Sequence, residues 1–320
     1  MSYNVKPILK WAGGKTQLLP EIIANLPDDY KLLRRYVEPF VGAGSVFFYF
    51  INNNCFEEYI INDINEKLMN LYKVIRDDCE GLISELYRLQ EEYIMLEDLV
   101  KKEKFYYECR EQFNLNQVSD TKMSALLIFL NKTCFNGLYR ENSQGLFNVP
   151  FGKRNSPQIF EEKNIKEISR LLNIKNKEGK YRVHILNKSF EDLDDYIDNN
   201  TFVYFDPPYR PVTFGGFNSY NKSSFNDESQ IKLRDFFVTQ DKKGARLMLS
   251  NSDPKVLDKN DNFFDDLYKD FTIKRVTANR MINSKGSGRG PINELLIMNY
   301  DWGGSRRAWS MKKIRKLLII

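Results

Sequence analysis

The feature that most constrains this chain is Glu38-Pro39-Phe40-Val41-Gly42-Ala43-Gly44-Ser45, which stands between an apolar run and the helix-like segment Val46 to Ile51. Two glycines one residue apart let the backbone approach a ligand closely, and the start of the following helix offers free amide donors. The expected layout is a strand from Tyr36 to Val41, a tight turn, a helix, and a second strand from Tyr59 to Ile61 that ends on Asn62-Asp63. The spacing from Gly44 to Asp63 matches the ~20 residues by which a ribose-binding carboxylate follows its glycine turn in doubly wound α/β folds. Taken alone, a GxG stretch is equally compatible with an ordinary tight turn; with the terminal Asp it points to an adenosine-bearing ligand. Phe47 occupies the place of the third glycine of the dinucleotide fingerprint, which disfavours a nicotinamide cofactor. Trp11-Ala12-Gly13-Gly14-Lys15-Thr16 ends like a phosphate-binding loop. However, Leu9 stands where the first glycine is needed and no buried strand precedes it, so an NTPase is not expected.

Beyond Leu68 the pattern changes. Leu82, Leu86, Leu89, Tyr93, Leu96, Leu99 and Val100 recur at three- and four-residue spacing among charges, as in amphipathic helices that pack on one another. Another helix is expected from Asp120 to Lys132, capped by Ser119 or Asp120. A turn-rich stretch follows, in which Asn136-Gly137 and Gln144-Gly145 are hairpin-type signals. After a linking helix (Asn164 to Leu172), strands are expected at Tyr181 to Leu186, Phe202 to Phe205, Leu247 to Leu249 and Glu294 to Tyr300. The outline is one α/β domain interrupted by a mainly helical insert.

Val203-Tyr204-Phe205-Asp206-Pro207-Pro208-Tyr209 places a carboxylate and an aromatic ring just beyond a buried strand, the end at which open α/β sheets bind ligands. Asp-Pro-Pro can also be no more than a rigid turn. Read as a site, it suits an exocyclic amino group, whose nitrogen is a poor nucleophile while its lone pair is delocalised into the ring. The Asp206 carboxylate and the Pro207 carbonyl would accept the two amino hydrogens and direct the lone pair at an electrophilic methyl group, with Tyr209 stacked on the base. That is catalysis by positioning and electrostatic preorganisation.

WAGGK, EPFVGAGS, IIND, YYxxRxxFN, FNGLYR, FNVPFGK and DPPY occur in this order. Together they resemble the Dam-type DNA adenine-N6 methyltransferases, and the resemblance runs from about Pro7 to Tyr300. It implies an α/β, Rossmann-like S-adenosylmethionine-dependent methyltransferase sheet with an inserted, mainly helical DNA-recognition domain carrying a β-hairpin. The implied catalytic and cofactor domain is discontinuous, 1–70 with 160–301, around a target-recognition domain at 71–159. The implied cofactor is S-adenosylmethionine. Trp11, Lys15, Asp63 and Asp206 match the family's cofactor-contacting positions, and Glu38, Phe40, Gly42, Gly44 and Phe190 are grouped with them. Asp206, Pro207, Pro208 and Tyr209 match its catalytic loop. On double-stranded DNA, Asn136, Leu138, Arg140 and Pro150 match the hairpin that enters the duplex, and Lys10 matches the lysine that meets the first base pair. The matching residues imply GATC, with the adenine flipped out of the helix. Arg140 suits bidentate contact with guanine; Arg110, Lys132, Lys153 and Arg154 suit phosphates.

Several function classes are weakened by what is missing. His184, the single histidine, lies in an expected strand, and no cysteine is placed as the nucleophile that C5-cytosine methylation needs. Cys55, Cys79, Cys109 and Cys134 form no CxxC pair, so neither a zinc site nor a disulfide framework is indicated, and no metal is expected. No apolar run of transmembrane length or signal-peptide layout is present, and a monomer in a reducing cytoplasm is expected. The net charge of +5 is misleading as a sign of DNA binding, because residues 303–320 carry six basic residues and no acid. Residues 1–302 hold 42 basic and 43 acidic residues. That tail reads as a phosphate-binding amphipathic helix, a membrane-surface or partner helix, or an extension without catalytic role, the last being favoured. A second basic stretch holds Lys274, Arg275, Arg280, Lys285 and Arg289; its Gly/Ser-rich part (283–290) reads as a DNA cover, a cofactor lid or a plain surface loop. An N4-cytosine methyltransferase and a DNA-binding relative without catalysis stand as alternatives. A restriction endonuclease is a possible functional partner.

Overall fold

The computed structural model describes residues 4–11, 15, 17–210, 225–279 and 291–301. The Ala12 to Gly14 part of the GKT motif, Thr16, Arg280, the 283–290 loop and the 302–320 tail lie outside the described residues. The described elements, in chain order, are α1 (Leu19–Ala24), β1 (Arg35–Glu38), α2 (Ser45–Asn52), β2 (Glu58–Asn62), α3 (Glu66–Asp77), α4 (Cys79–Met95), α5 (Leu99–Leu115) and α6 (Asp120–Thr133). They continue with α7 (Glu162–Leu172), β3 (Val183–Leu186), β4 (Thr201–Phe205), α8 (Asp227–Lys242), β5 (Arg246–Ser252), α9 (Phe263–Leu267), β6 (Thr272–Asn279) and β7 (Pro291–Met298). The strands form a seven-stranded sheet in the order β3-β2-β1-β4-β5-β7-β6. This is the mixed α/β sheet of a methyltransferase fold.

The contacts divide the chain into two compact units. One holds Met1–Gly14, Val41–Glu57 and Ile61–Lys188; the other holds Lys15–Phe40, Glu58–Ile60 and Ser189–Ile320. In the second unit, β1, β4 and β5 run parallel, with Val37 opposite Val203 and Val203 opposite Leu247. The β4 run Thr201 to Phe205 is buried at every residue, as expected of a parallel strand covered on both faces. Against β4 and β5, α8 supplies Leu233, Phe236 and Phe237, a three- and four-residue spacing that buries one helix face. β7 runs antiparallel to both β5 and β6.

In the first unit, α6 is buried from Met123 through Asn131, so it forms the centre on which α3, α4 and α5 pack. Short side chains start these helices: Asn65, Asp98 and Ser119 each accept a hydrogen bond from the backbone amide three residues on. Of the two caps the sequence left open for α6, Ser119 is therefore the one used.

Several boundaries differ from expectation. The first strand stops at Glu38 instead of Val41, since Pro39 removes an amide and Gly42 takes φ +49°. The long helical stretch is three helices, α3 to α5. Four elements were unexpected, α1, α8, α9 and β6; in β6 the adjacent Lys274 and Arg275 mask the strand pattern. The Asn136-Gly137 signal marks a 3-10 turn directly after α6, both residues having positive φ (57° and 67°). The chain reverses further on, where Asn142 donates to the Leu146 carbonyl (2.9 Å) and its side chain accepts from the Gln144 and Leu146 amides. The hairpin-like pairing consists of isolated antiparallel bridges, Cys134 with Phe151 and Glu141 with Phe147.

Candidate active site and DNA-recognition segment

The second unit holds the Asp-Pro-Pro-Tyr loop at the C-terminal end of β4. Asp206 Oδ1 receives two donors, Lys15 Nζ at 2.7 Å and Ser250 Oγ at 3.1 Å, and Ser250 is in turn paired with the buried Tyr204 hydroxyl at 2.9 Å. No described residue hydrogen-bonds to Oδ2. Burial pushes the Asp206 carboxyl above the usual carboxylate range, and the Lys15 ammonium pulls it back down. The rest of the loop is pinned through its backbone. Gln230 donates to the Pro208 carbonyl (3.1 Å), the Arg210 amide to Asn251 Oδ1 (3.2 Å), and Ser252 Oγ to the Arg210 carbonyl (2.8 Å). Among the described residues the Pro207 carbonyl accepts no hydrogen bond, so the loop leaves two acceptors free, Asp206 Oδ2 and Pro207 O. The Tyr209 hydroxyl donates to Glu294 Oε2 at 2.7 Å, and Lys15 Nζ lies 4.3 Å from the Tyr209 ring centroid.

Glu38 ends β1 as a buried carboxylate that accepts from the Tyr36 hydroxyl at 2.6 Å. Phe40 packs on Phe190 (5.5 Å between ring centroids) and on Phe225 (5.8 Å), and Phe190 also meets Phe236. These four rings form an aromatic cluster within the unit.

The first unit holds the glycine turn. Asp63, just past β2, accepts from the Gly42 amide (3.1 Å) and the Asn65 amide (3.0 Å), and burial raises its carboxyl. Tyr72 of α3 donates to the Gly42 carbonyl at 3.1 Å. The turn is thus held at both polar groups of one residue. Gly44 has φ +78°, and a Cβ there would stand 2.6 Å from the Tyr72 hydroxyl, so only glycine fits. Trp11 lies against Gly42, whose added Cβ would meet the indole Cδ1 at 3.0 Å.

The same unit gathers the residues expected on DNA. The Asn131 side chain holds both backbone groups of Lys10, each at 2.8 Å, and donates to the Gly137 carbonyl at 3.1 Å. This brings Lys10 beside the Asn136–Leu138 turn. Tyr106, Arg110 and Asn114 line one face of α5 and hold the returning strand, Tyr106 and Arg110 through the Val149 carbonyl and Asn114 through both backbone groups of Phe147. Here the YYxxRxxFN pattern acts as a clamp, and the Arg110 guanidinium also stacks on Tyr107 at 4.5 Å. Arg140 Nε donates to Asn148 Oδ1 at 2.7 Å. Pro150 is exposed and its carbonyl accepts from the Phe135 amide (2.9 Å); Lys153 is exposed with φ +51°. Burial lowers the Lys132 ammonium, and the charges of Lys10 and Arg154 lower it further. Among the described residues none of these three cations has an acidic partner, so together they form an anion-attracting cluster.

Two of the cations in the second basic stretch are already neutralised. Arg275 pairs with Asp253 (3.1 Å) and Asp265 (2.8 Å), and Lys274 meets Asn25 (2.9 Å) and, at 3.7 Å, Glu21. Cys109 and Cys134 are buried, with thiols pushed up to about 12 and about 11, which makes neither a nucleophile. No metal-binding group of His, Cys, Asp or Glu occurs among the described residues, and none of their helices is long and apolar enough to cross a membrane. Ser250, Glu294, Tyr72, Asn131 and Asn148 were not singled out from the sequence. Only Glu294 carried a signal, as a lone charge inside the apolar run of β7.

Comparison with known proteins shows the family. A family model for the D12 class of N6 adenine-specific DNA methyltransferases matches residues 11–282. The type II methyltransferase M.MjaIII of Methanocaldococcus jannaschii is 50% identical over 303 residues, covering 93% of this chain and 100% of its own. M1.LlaDCHI, a type II methyltransferase of Lactococcus lactis, is 35% identical over 93% of this chain and 96% of its own. A DNA adenine methylase of Vibrio cholerae is 33% identical, covering 92% and 95% respectively. Family match, relatives and the Asp206 loop agree, and the chain belongs to the D12 class of N6 adenine-specific DNA methyltransferases.

Proposed function

We propose that this enzyme methylates the adenine of GATC in double-stranded DNA, and that it acts on a base flipped out of the helix. Enzymes of this class use S-adenosylmethionine, which supplies an electrophilic methyl group on a positively charged sulfur. The residues present suit that cofactor. Within one unit the Phe40, Phe190 and Phe225 rings suit an adenine; within the other the half-buried Asp63 carboxylate has lone pairs left for ribose hydroxyls and the Gly42–Gly44 turn suits the methionine portion. Trp11, Lys15 and Glu38 complete the cofactor set.

The observation that carries the catalytic reading is the pair of acceptors Asp206 Oδ2 and Pro207 O, in a loop pinned at Asp206 Oδ1, at the Pro208 carbonyl and at both backbone groups of Arg210. They accept the two N6 hydrogens and turn the nitrogen lone pair out of conjugation. Lys15 and Ser250 fix the opposite carboxylate oxygen, so the acceptor geometry is set before the base arrives. Pro208 keeps the loop rigid, and Tyr209, tethered to Glu294, stacks on the base. Once N6 carries the new methyl group it must lose a proton, and Asp206 Oδ2, on a carboxyl raised by burial, receives it.

Flipping the adenine costs a few kcal/mol of unstacking. Lys132 and Arg154, with Arg110 and Lys153, grip phosphates meanwhile, while Lys10 beside them meets the first base pair and Asn136, Leu138 and Pro150 enter the duplex. Arg140, its Nε and one Nη held by the Asn148 side chain and carbonyl, presents the donors left over to guanine O6 and N7. In this proposal 1–70 and 160–301 do the chemistry and 71–159 read the target. The proposal includes a monomer in the cytoplasm with a restriction endonuclease as functional partner; two relatives are named type II methyltransferases. Methylating an unmodified plasmid and mapping the modified bases tests the target: N6-methyladenine confined to GATC is expected, and N6-methyladenine in another context would overturn that specificity.

A further inference from the structure

We infer that Tyr139 is a positioning residue for the methyl-donor site, carried on the DNA-recognition segment, and that engaging DNA sets the cofactor-holding Trp11 through it. The inference rests on the proposed reading of Leu138 and Arg140 as DNA-facing, because Tyr139 is the residue between them. Its ring stacks on Trp11 with centroids 4.8 Å apart and planes at 23°, within the range of favourable offset stacking. Trp11 in turn rests against Gly42, where an added Cβ would stand only 3.0 Å from the indole. A continuous path of contact therefore leads from the recognition segment through two rings to the glycine turn.

The far end of Tyr139 is held too. Its hydroxyl donates to Glu141 Oε1 at 2.5 Å, and Glu141 pairs with Lys67 of α3 at 3.5 Å. Lys67 follows Asn65, the cap of α3, whose amide donates to Asp63. Thus the ring meets the contact neighbour of Gly42, while the hydroxyl reaches the helix that begins beside Asp63. The ring also tilts against the buried Phe147 at 5.7 Å, yet Tyr139 itself is only half-buried, unlike a ring sunk wholly in the core. The flanking Phe135, Asn136 and residues 140–145 are exposed.

The consequence is linkage. DNA that holds the Leu138–Arg140 segment in place fixes the Tyr139 ring, hence Trp11, and the cofactor then binds without the cost of ordering them. Coupling of this kind typically amounts to about 5- to 150-fold in affinity and is reciprocal. The low end, about tenfold, suits a single ring stack.

The test is calorimetry of S-adenosylhomocysteine binding to the full chain, with and without a saturating GATC duplex, in the wild type and in Tyr139→Phe, Tyr139→Leu and Tyr139→Ala. Circular dichroism identifies the folded variants, and Tyr139→Leu keeps apolar bulk should Tyr139→Ala fail to fold. Expected is an affinity about tenfold tighter with duplex in the wild type, largely kept in Tyr139→Phe. In the other two the ratio falls to about one. A purely structural role would weaken binding equally with and without DNA and leave the ratio unchanged; that result, or a wild-type ratio of one, overturns the inference. Duplex binding that ignores Arg140→Ala would instead strike the DNA-facing reading of the segment, separating the two failures.

Discussion

Lys15→Met tests the proposed geometry around Asp206 most incisively, because one side chain carries two separable effects. The ammonium donates to Asp206 Oδ1 at 2.7 Å, and both side chains are largely shielded, 6% and 18% exposed. A hydrogen bond to a charged group contributes about 1.5–3 kcal/mol, which at about 1.4 kcal/mol per decade is a loss of about 10- to 150-fold in methyl transfer at saturating cofactor and DNA. Methionine keeps the length of the stem, and Ser250 still holds the same oxygen, so the carboxylate is loosened and not lost. The second effect has a definite sign. Burial raises the Asp206 carboxyl and Lys15 lowers it, so removing Lys15 raises it further. The proposed acceptor works only when ionised. Activity is therefore lost as pH falls through the Asp206 pKa, and in the variant that loss begins at higher pH. The deficit of Lys15→Met should widen toward acid and level off in alkaline solution. Single-turnover rates across a pH series, with circular dichroism as the check on folding, measure both effects. An acid limb that stays in place, or a deficit equal at every pH, would refute the assignment of Asp206 as the ionised acceptor.

Ser250→Ala should be milder, about tenfold or less, since Lys15 remains on the same oxygen; a larger loss than in Lys15→Met would reverse the proposed order of the two supports. Asp63→Ala should weaken S-adenosylhomocysteine binding by about 10- to 150-fold in calorimetry, as it removes a half-buried charged acceptor, whereas Tyr72→Phe, which loses one neutral hydrogen bond to Gly42, should cost about tenfold or less. Unchanged affinity in both would refute the glycine turn as a cofactor element. Arg140→Ala should lower discrimination at the guanine by ~1–3 kcal/mol while leaving non-specific binding nearly intact; equal loss on all duplexes would make it a phosphate contact.

What was legible in the sequence is what sits in contiguous residues. Gly42, Gly44 and Asp63 appear as a turn and a strand end at readable spacing, and Asp206 follows an unbroken apolar run. Their supports were not legible, because each comes from a distant part of the chain. Ser250 reaches Asp206 from the neighbouring strand β5, Glu294 reaches Tyr209 from β7, and Asn131 reaches Lys10 from α6. Nothing in a serine or an asparagine announces such a partner. β6 escaped notice for a related reason. Lys274 and Arg275 read as surplus charge, and their partners Asn25, Asp253 and Asp265 become visible only once the chain is folded. The recognition segment was correctly seen as turn-rich, but its reversal depends on the Asn142 side chain bonding two backbone amides, not on Asn136-Gly137.

The central claim is that Asp206 and Pro207 present two acceptors to the N6 amine of a DNA adenine. The most direct measurement is mass spectrometry of nucleosides from duplex DNA treated with S-adenosylmethionine and either the wild-type enzyme or folded Asp206→Ala. The account predicts N6-methyladenine with the wild type and none above background with the variant. N4-methylcytosine as the product, or undiminished N6-methyladenine from Asp206→Ala, would contradict it.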